Sequence, residues 1–504
     1  MAKITPVWVA SSLCLLSAGC FYPPVDEKQP TYPMKETWQN PELEPTISSK
    51  EKGSPDNWWE VFGDSNLNAI VAEGVANSPT IEQALARFDQ ALAFVTVAQA
   101  NQFPQLTLNG YGDRRRIPKD LQGSASVPTG NLLTPTTTAA IPAPNTGVPP
   151  IVIPSVPQMQ TVKAPLLVND LIANFLVSYE LDFWGKYSLQ TRAAVLRAQE
   201  AQADLATAQL LLVDQIASTY FTMQAMEAEL ALIRDEIAMH RERNALLAQQ
   251  VEQGLTDAFQ LLDEQATLET RLQDEQSLIQ SLELNNSLLA TLVGKEPNNA
   301  LFEISSPSWT FPVVPAGLPS SLLAKRPDVQ SAMREVNALI AEIGVAKTAL
   351  LPSISLSAAA GFQAGTANQW FKWKDRIWDL AGSVGQILFD AGQTFAQIDA
   401  AKARYRQAAG VLTQTVLSSV KEVEDALCVI RTQDRRTIAA LKREEDLAAT
   451  ATLRSGQCQS GLQDYLIVLQ AKEDRIQASR ARVNEEYNLQ LSTLALMKGL
   501  GGSW

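Results

Sequence analysis

The sequence is short of the side chains on which most enzymes rely. Among 504 residues there is one His, His240, and there are 4 Cys, which leaves little for imidazole catalysis, metal ligation or a disulfide framework. Basic charge is also scarce: 41 Lys and Arg stand against 54 Asp and Glu, a formal net charge of −13. Such a chain offers no broad surface that could displace counterions from phosphates, so no nucleic-acid partner is expected. With 46% hydrophobic and 19% charged residues, it is neither disordered nor a polytopic helical membrane protein. No phosphate loop, nucleophile elbow or metal-ligand spacing is found, so we expect no enzyme, cofactor or metal. His240 sits within Arg241-Glu242-Arg243 on a long helical stretch and reads as a solvated surface residue. The length alone would suit about three ordinary domains.

The N-terminus carries an address. Lys3 supplies a positive start, and an apolar stretch from Ile4 to Leu16 follows, too short to span a bilayer as a helix. It ends in Leu16-Ser17-Ala18-Gly19-Cys20, which resembles a bacterial lipobox, with Ser17 where that motif usually has an aliphatic residue. Residues 1–19 are read as a lipoprotein signal and Cys20 as the lipidated first residue of the mature chain. Ordinary cleavage near Ala18 is the alternative. Phe21 rather than Asp follows Cys20, as sorting to the outer membrane requires. Residues 20–56 form an extended tether, because seven Pro fall between Phe21 and Pro55. Cys428 and Cys458 then remain. On one continuous helix they would stand roughly 45 Å apart, beyond any disulfide.

Proline is unevenly distributed, and its gaps reveal a repeat. Ser78-Pro79-Thr80-Ile81 matches Arg326-Pro327-Asp328-Val329, Pro104 matches Pro352, and Leu106-Thr107-Leu108 matches Ile354-Ser355-Leu356, all 248 residues apart. Further on, Gly185 matches Gly392, and Gly254-Leu255-Thr256-Asp257 matches Gly461-Leu462-Gln463-Asp464, both 207 apart. Constant offsets at several landmarks point to a duplication, with a first repeat over 57–300 and a second over 301–504. The change of offset requires an insertion in the first repeat. Residues 117–165 supply it, since they hold ten of the 27 Pro, are rich in Thr and Ala and show no apolar period.

Each repeat follows one plan. A helical stretch, 66–103 or 320–351, leads to segments that alternate apolar and polar side chains. In Ser353 to Phe362 the even positions are apolar, and from Leu171 to Phe183 the odd positions are, a period of two that makes strands. Trp378, Leu380 and Val384 repeat the pattern, and Leu106 and Leu108 begin a fourth strand. An ordinary half-buried sheet would alternate in the same way. Strand lengths of about ten residues, an exported lipoprotein, and the aromatics Phe183, Trp184, Trp370, Trp373 and Trp378 suit an outer-membrane barrel with an aromatic girdle. Four strands cannot close a barrel, so several copies must. From Lys186 to Gln253 there is then no Pro or Gly, enough for about 100 Å of helix. Thr394 to Ser455 matches it with a single Gly, Gly410. Return helices are expected over 257–293 and 464–497.

At this point the residues resemble the TolC family, in its outer-membrane efflux lipoprotein branch (OprM-like, NodT-type). The resemblance is carried by Asn57-Trp58-Trp59-Glu60-Val61-Phe62-Gly63-Asp64, by Tyr179-Glu180-Leu181-Asp182-Phe183-Trp184-Gly185-Lys186, and by Lys325-Arg326-Pro327-Asp328-Val329. It continues through Leu388-Phe389-Asp390-Ala391-Gly392, Glu422-Val423-Glu424-Asp425-Ala426-Leu427 and Leu500-Gly501-Gly502-Ser503-Trp504. It implies a mainly α protein with transmembrane β structure, in which an internally duplicated protomer gives four strands to a trimeric 12-stranded outer-membrane barrel and long antiparallel helices to a periplasmic helical barrel. Such a homotrimer, set in outer-membrane lipid, would be the exit channel of a tripartite pump, with a periplasmic adaptor and an inner-membrane transporter of the resistance-nodulation-division (RND) type. The insertion would then be an extracellular loop. The family places adaptor contacts at the tip turns, here Gly254-Leu255-Thr256 and Gly461-Leu462-Gln463. It places an acidic gate near the second turn, where the nearest carboxylate is Asp464, one residue beyond Gln463. A helix N-cap explains Asp464 equally well. Drug efflux is the leading expectation, and a type I protein-secretion duct or a non-conducting lipid-anchored scaffold are the alternatives. An envelope hydrolase is remote.

Overall fold

A computed structural model describes residues 24–28, 30, 57–116, 127–128, 159–160, 167–299, 302–304, 309, 311–312 and 325–502. The signal and Cys20 lie outside the described residues, as do nearly all of the tether and most of the insertion. Two compact units are present: Met1–Lys28 with Leu92–Leu196 and Asn337–Arg406, and Gln29–Ala91 with Arg197–Val336 and Gln407–Trp504.

Seven helices are described: α1 (Ser65–Asn77), α2 (Pro79–Ala100), α3 (Lys186–Glu252), α4 (Ala258–Val293), α5 (Pro327–Thr348), α6 (Gln393–Gln459) and α7 (Tyr465–Gly499). Six strands accompany them: β1 (Gln105–Arg116), β2 (Val127–Pro128), β3 (Met159–Gln160), β4 (Leu167–Glu180), β5 (Ser353–Ala364) and β6 (Arg376–Gly385). Bounds recur at the offsets read from sequence. Pro79 and Ala100 sit 248 before Pro327 and Thr348, and Lys186 and Glu252 sit 207 before Gln393 and Gln459. The expected 66–103 helix is in fact two. Pro79 has no N–H to donate and serves as the first residue of α2, while the Ser78 amide closes α1 on the Gly74 carbonyl at 2.9 Å. The second strand also shifts, covering 167–180 rather than 171–183. At 181–183 the chain turns to place Asp182 ahead of α3, where its carboxylate accepts from the Tyr187 and Ser188 amides at 3.0 and 2.8 Å. Both long helices thus begin on an acidic cap, since Asp390 accepts from the Thr394 amide at 2.8 Å ahead of α6.

In the first unit the sheet order is β1-β4-β5-β6, antiparallel throughout. Within the insertion, β2 and β3 pair over two residues. No described helix is long and apolar enough to cross a membrane. The second unit has the main apolar core, in which Trp58, Phe62, Leu67, Tyr220, Phe221 and Leu289 pack together. The Trp-Trp-Glu-Val-Phe-Gly-Asp motif explains itself here: its aromatics fill the core and Asp64 caps α1 through the Asn66 and Leu67 amides. The same carboxylate accepts from Tyr220 Oη at 2.8 Å and Gln224 Nε2 at 3.1 Å, so one acid ties the start of α1 to α3.

Candidate functional site

The register of the sheet sorts its side chains into two faces. Phe175 lies opposite Leu108 on one side and Ala360 on the other, and Ala360 lies opposite Trp378. Val177 likewise aligns with Leu106, Ala358 and Leu380. One face is therefore apolar across all four strands, and it is bare: Leu108 is 66% exposed, Phe175 53% and Trp378 76%. The other face aligns Asn109 with Asn174 and Ser178 with Ser357. It carries polar links such as Gln363 Nε2 to Asp170 Oδ1 at 3.0 Å and Ser355 with Ser383 at 2.7 Å. Ile172, Leu176 and Ile377 interrupt it. No described residue covers this apolar face, and among the described strands β1 and β6 are left with unpaired edges. β4 and β5 approach closely at Gly361. A Cβ there would meet the Ala173 carbonyl oxygen at 2.2 Å.

The five aromatics expected from sequence to form a girdle fall at both ends of this sheet. Trp370 stacks on Phe371 with centroids 4.8 Å apart in the β5–β6 connection, and Trp373 beside them holds the Arg376 guanidinium over its ring. Trp378 projects from the adjacent part of the apolar face. At the opposite end Phe183 meets Trp184 edge-on at 4.8 Å. Trp184 is half-buried and donates to the Pro352 carbonyl at 2.6 Å, so it also anchors the chain between β4 and α3.

In the second unit, the two turns at the far ends of the long helices repeat one construction. Gly254 has φ +72°, the Leu255 amide reaches the Gln250 carbonyl at 2.8 Å, and Asp257 caps α4. At the second turn Gly461 has φ +73°, the Leu462 amide reaches the Gln457 carbonyl at 2.9 Å, and Asp464 caps α7 through the Leu466 amide at 3.1 Å. A Cβ at either Gly would meet nothing within 4 Å, so positive φ alone selects glycine. Leu255 and Leu462 stand out at 72% and 76% exposure. Thr256 Oγ1 donates to Gln260 Oε1 at 2.8 Å, and Gln463 Oε1 accepts from Arg454 at 2.9 Å. A link from the second turn to the body of α3 has no signal in the local sequence: Tyr465 Oη donates to Glu242 Oε1 at 2.6 Å. That hydrogen bond pushes the Tyr465 phenol up to about 12.

His240 corrects the sequence reading. It is fully buried rather than solvated, because α4 and α7 cover the face of α3 from which it projects. Its Nδ1 lies 2.6 Å from Glu264 Oε1. Glu236, one turn earlier and also fully buried, faces its Nε2 at 3.9 Å. Arg243 bridges Glu264 at 3.4 Å and Glu473 at 2.8 Å. Arg271 reaches Glu236 and Asp274 at 3.0 and 2.8 Å. Arg480 reaches Glu229 and Glu236 at 2.7 and 3.3 Å. The Glu236 and Glu264 carboxylates hold the imidazole above its ordinary pKa against the opposing effect of burial. The spacing Glu236-x-x-x-His240, which places both side chains on one helix face, is the signal that could have found this cluster.

The two Cys that sequence reading leaves in the mature chain, Cys428 and Cys458, both lie on α6 and are free. The Lys-Arg-Pro-Asp-Val motif also acquires a role. Arg326 is buried, pairs through NH2 with Asp328 at 2.6 Å and through NH1 with Glu422 at 2.7 Å, and donates to the Gly499 carbonyl at the end of α7 at 3.0 Å.

Comparison with known proteins gives concordant results. The family model described as "Outer membrane efflux protein" matches residues 170–295 and 318–502. Nodulation protein T of Rhizobium leguminosarum bv. trifolii is 26% identical over 451 residues, 88% of this chain and 87% of its own. The probable efflux pump outer membrane protein TtgC of Pseudomonas putida is 24% identical over 492 residues, 96% of this chain and 93% of its own. Among solved structures, the open-state MtrE outer membrane channel of Neisseria gonorrhoeae superposes with a TM-score of 0.77 at 22% identity, covering 96% of this chain and 98% of that one. At that identity the superposition speaks for the fold.

Proposed function

Because the chain belongs to the outer membrane efflux protein family, we propose that three copies form the outer-membrane exit duct of a tripartite RND-type pump, conducting drugs or other small amphiphiles passively outward. The observation that carries this reading is the four-stranded sheet with one bare apolar face and two open edges. Open edges are not tolerated in lipid and the smallest bacterial barrels have about eight strands. Closure by copies meets both conditions, and three copies of four strands make twelve. The polar face would then line the passage. Ladders at this depth leave every interior backbone group paired, as hydrocarbon demands.

The turns at Gly254 and Gly461 are the proposed docking points for a periplasmic adaptor. Leu255 and Leu462 offer matched apolar contacts, and Thr256 and Gln463 polar ones. The gate is proposed nearby. Three Asp464 carboxylates drawn together would repel one another, giving a closure that opens at small cost. The Tyr465–Glu242 hydrogen bond would hold each protomer's second turn against α3. The acyl chain on Cys20 would anchor the protomer to the outer membrane, with 20–56 as its tether, and 117–165 would be an extracellular loop. No catalytic group is proposed, so the energy comes from the inner-membrane partner.

The test is deletion followed by a susceptibility panel of antibiotics, dyes, solvents and detergents. Increased sensitivity to several amphiphiles, restored by the gene, is the expected result. Unchanged sensitivity and accumulation throughout would remove the efflux reading, and loss of a secreted polypeptide instead would favour a type I duct. Cys20→Ser should lose label from a fatty-acid analogue.

A further inference from the structure

The conduction, docking and gating proposed above make no use of the cluster around His240, whose geometry could hold a cation. His240 Nε2 is fully buried and has no hydrogen-bond partner among the described residues; it faces the buried Glu236 Oε1 at 3.9 Å, an oxygen that Arg271 Nε approaches at 3.0 Å from outside the cluster. A buried ring nitrogen left without a partner and aimed at a carboxylate calls for an occupant between them. A carboxylate oxygen of Glu473 completes a group whose ligand atoms all lie within 4.8 Å of one another. We propose that this pocket binds a divalent transition-metal cation, with His240 Nε2 and the carboxylates of Glu236 and Glu473 as its ligands.

Four features support the assignment. The first is the tautomer. Glu264 at 2.6 Å accepts from Nδ1–H, which leaves the Nε2 lone pair directed at Glu236. A carboxylate behind a histidine is the usual support for a metal-bound imidazole. The second is distance. Metal–nitrogen and metal–oxygen bonds of about 2.0–2.2 Å span a 3.9 Å gap at a wide angle with no movement of the backbone.

The third is charge. The carboxylates touching the three guanidinium groups are Glu229, Glu236, Glu264, Glu473 and Asp274, five against Arg243, Arg271 and Arg480. The set carries an excess of −2 when His240 is neutral, which a divalent cation cancels. The fourth is that ligation leaves no arginine stranded. If Glu473 turns to the metal, Arg243 keeps Glu264, and if Glu236 does so, Arg271 keeps Asp274 and Arg480 keeps Glu229.

A nitrogen with two carboxylates is a borderline donor set, suited to zinc or copper rather than magnesium. Bound there, the ion would cross-link α3 to α7, with α4 braced behind through Glu264. Arg271 and Arg480 are each 26% exposed and border Glu236, so they mark the side open to an entering ion.

The experiment uses the full-length, untagged protein in detergent, stripped with a chelator and titrated with Zn²⁺, with Mg²⁺ as the oxygen-preferring control. Elemental analysis after desalting should find one zinc per protomer and no retained magnesium, and zinc should raise the thermal midpoint. His240→Gln should lose the site, and Glu264→Gln should weaken it about 10–100-fold, with circular dichroism reporting whether each variant keeps its helices. X-ray absorption on the wild-type zinc protein needs no variant, and should show one imidazole in an otherwise oxygen shell. No zinc above the stripped blank would overturn the proposal. A sulfur shell, an oxygen-only shell or unaltered zinc binding in a folded His240→Gln would do the same. A thermal midpoint that responds to pH and not to zinc would assign the site to a proton on Nε2 instead.

Discussion

At Arg326 a single side chain gathers the start of α5, the carboxylate of Glu422 on α6 and the Gly499 carbonyl at the end of α7. Removing one member of a buried pair leaves the rest uncompensated, which typically costs 3–5 kcal/mol. Glu422 is half-exposed and Asp328 a third exposed, so water recovers part of that loss. We expect Arg326→Ala to cost about 2–3 kcal/mol and to lower the thermal midpoint of the detergent-solubilised protein. Arg326→Lys should recover less than half of it, since an ammonium cannot serve two carboxylates and a carbonyl in one plane. A midpoint unchanged in Arg326→Ala would mean that the motif acts elsewhere. At the proposed gate, Tyr465→Phe and Glu242→Gln should each raise the open probability of single channels. They remove the same hydrogen bond, so the double variant should add little to either.

Among the elements, the two turns and the sheet make separate predictions. Gly461→Ala places a Cβ in open space but in the left-handed region, and should destabilise the turn by about 1 kcal/mol. Gly461→Asn should cost less, because Asn tolerates that conformation. Hydrogen exchange at the α6–α7 turn would rank the two. In the sheet, Phe175→Arg puts a charge on the apolar face near the middle of β4, where about 2–4 kcal/mol is expected if that face meets lipid. Asn109→Arg points to the opposite face and should leave the yield of heat-resistant oligomer in the outer membrane unaltered. Equal losses from both would contradict the assignment of faces.

These elements were the legible part of the sequence. Helix α3 could be bounded to within one residue because Gly254 stops it and no Pro or Gly interrupts it. The faces of β4 and β5 followed from strict alternation. Pro79 inside a continuous helical pattern was passed over, although its missing N–H makes it a start. The His240 cluster was legible only in part: the Glu236-x-x-x-His240 spacing is local, whereas Glu264 and Glu473 come from two other helices and are brought to the ring by tertiary packing, which also buries it.

The whole molecule, in this account, is incomplete as one chain. Its bare apolar face and the β1 and β6 edges left unpaired among the described strands call for neighbours, which copies of the same chain would supply in the proposed closed ring. Two consequences can be measured together on purified full-length protein. Native mass should be that of three protomers. Disulfide trapping between Cys placed at Leu108 and at the β6 position Leu380 should link different chains rather than one, since β1 and β6 are the outer strands of the sheet.

The central claim is that the assembled chain is a passage. Single-channel recording of the purified oligomer in a planar bilayer tests it most directly. Discrete steps of uniform conductance are expected, open less often in Asp464→Ala, which lacks the mutual repulsion of the three carboxylates in the closed aperture. Oligomers that insert but never conduct, in the wild type and in Asp464→Ala alike, would contradict it.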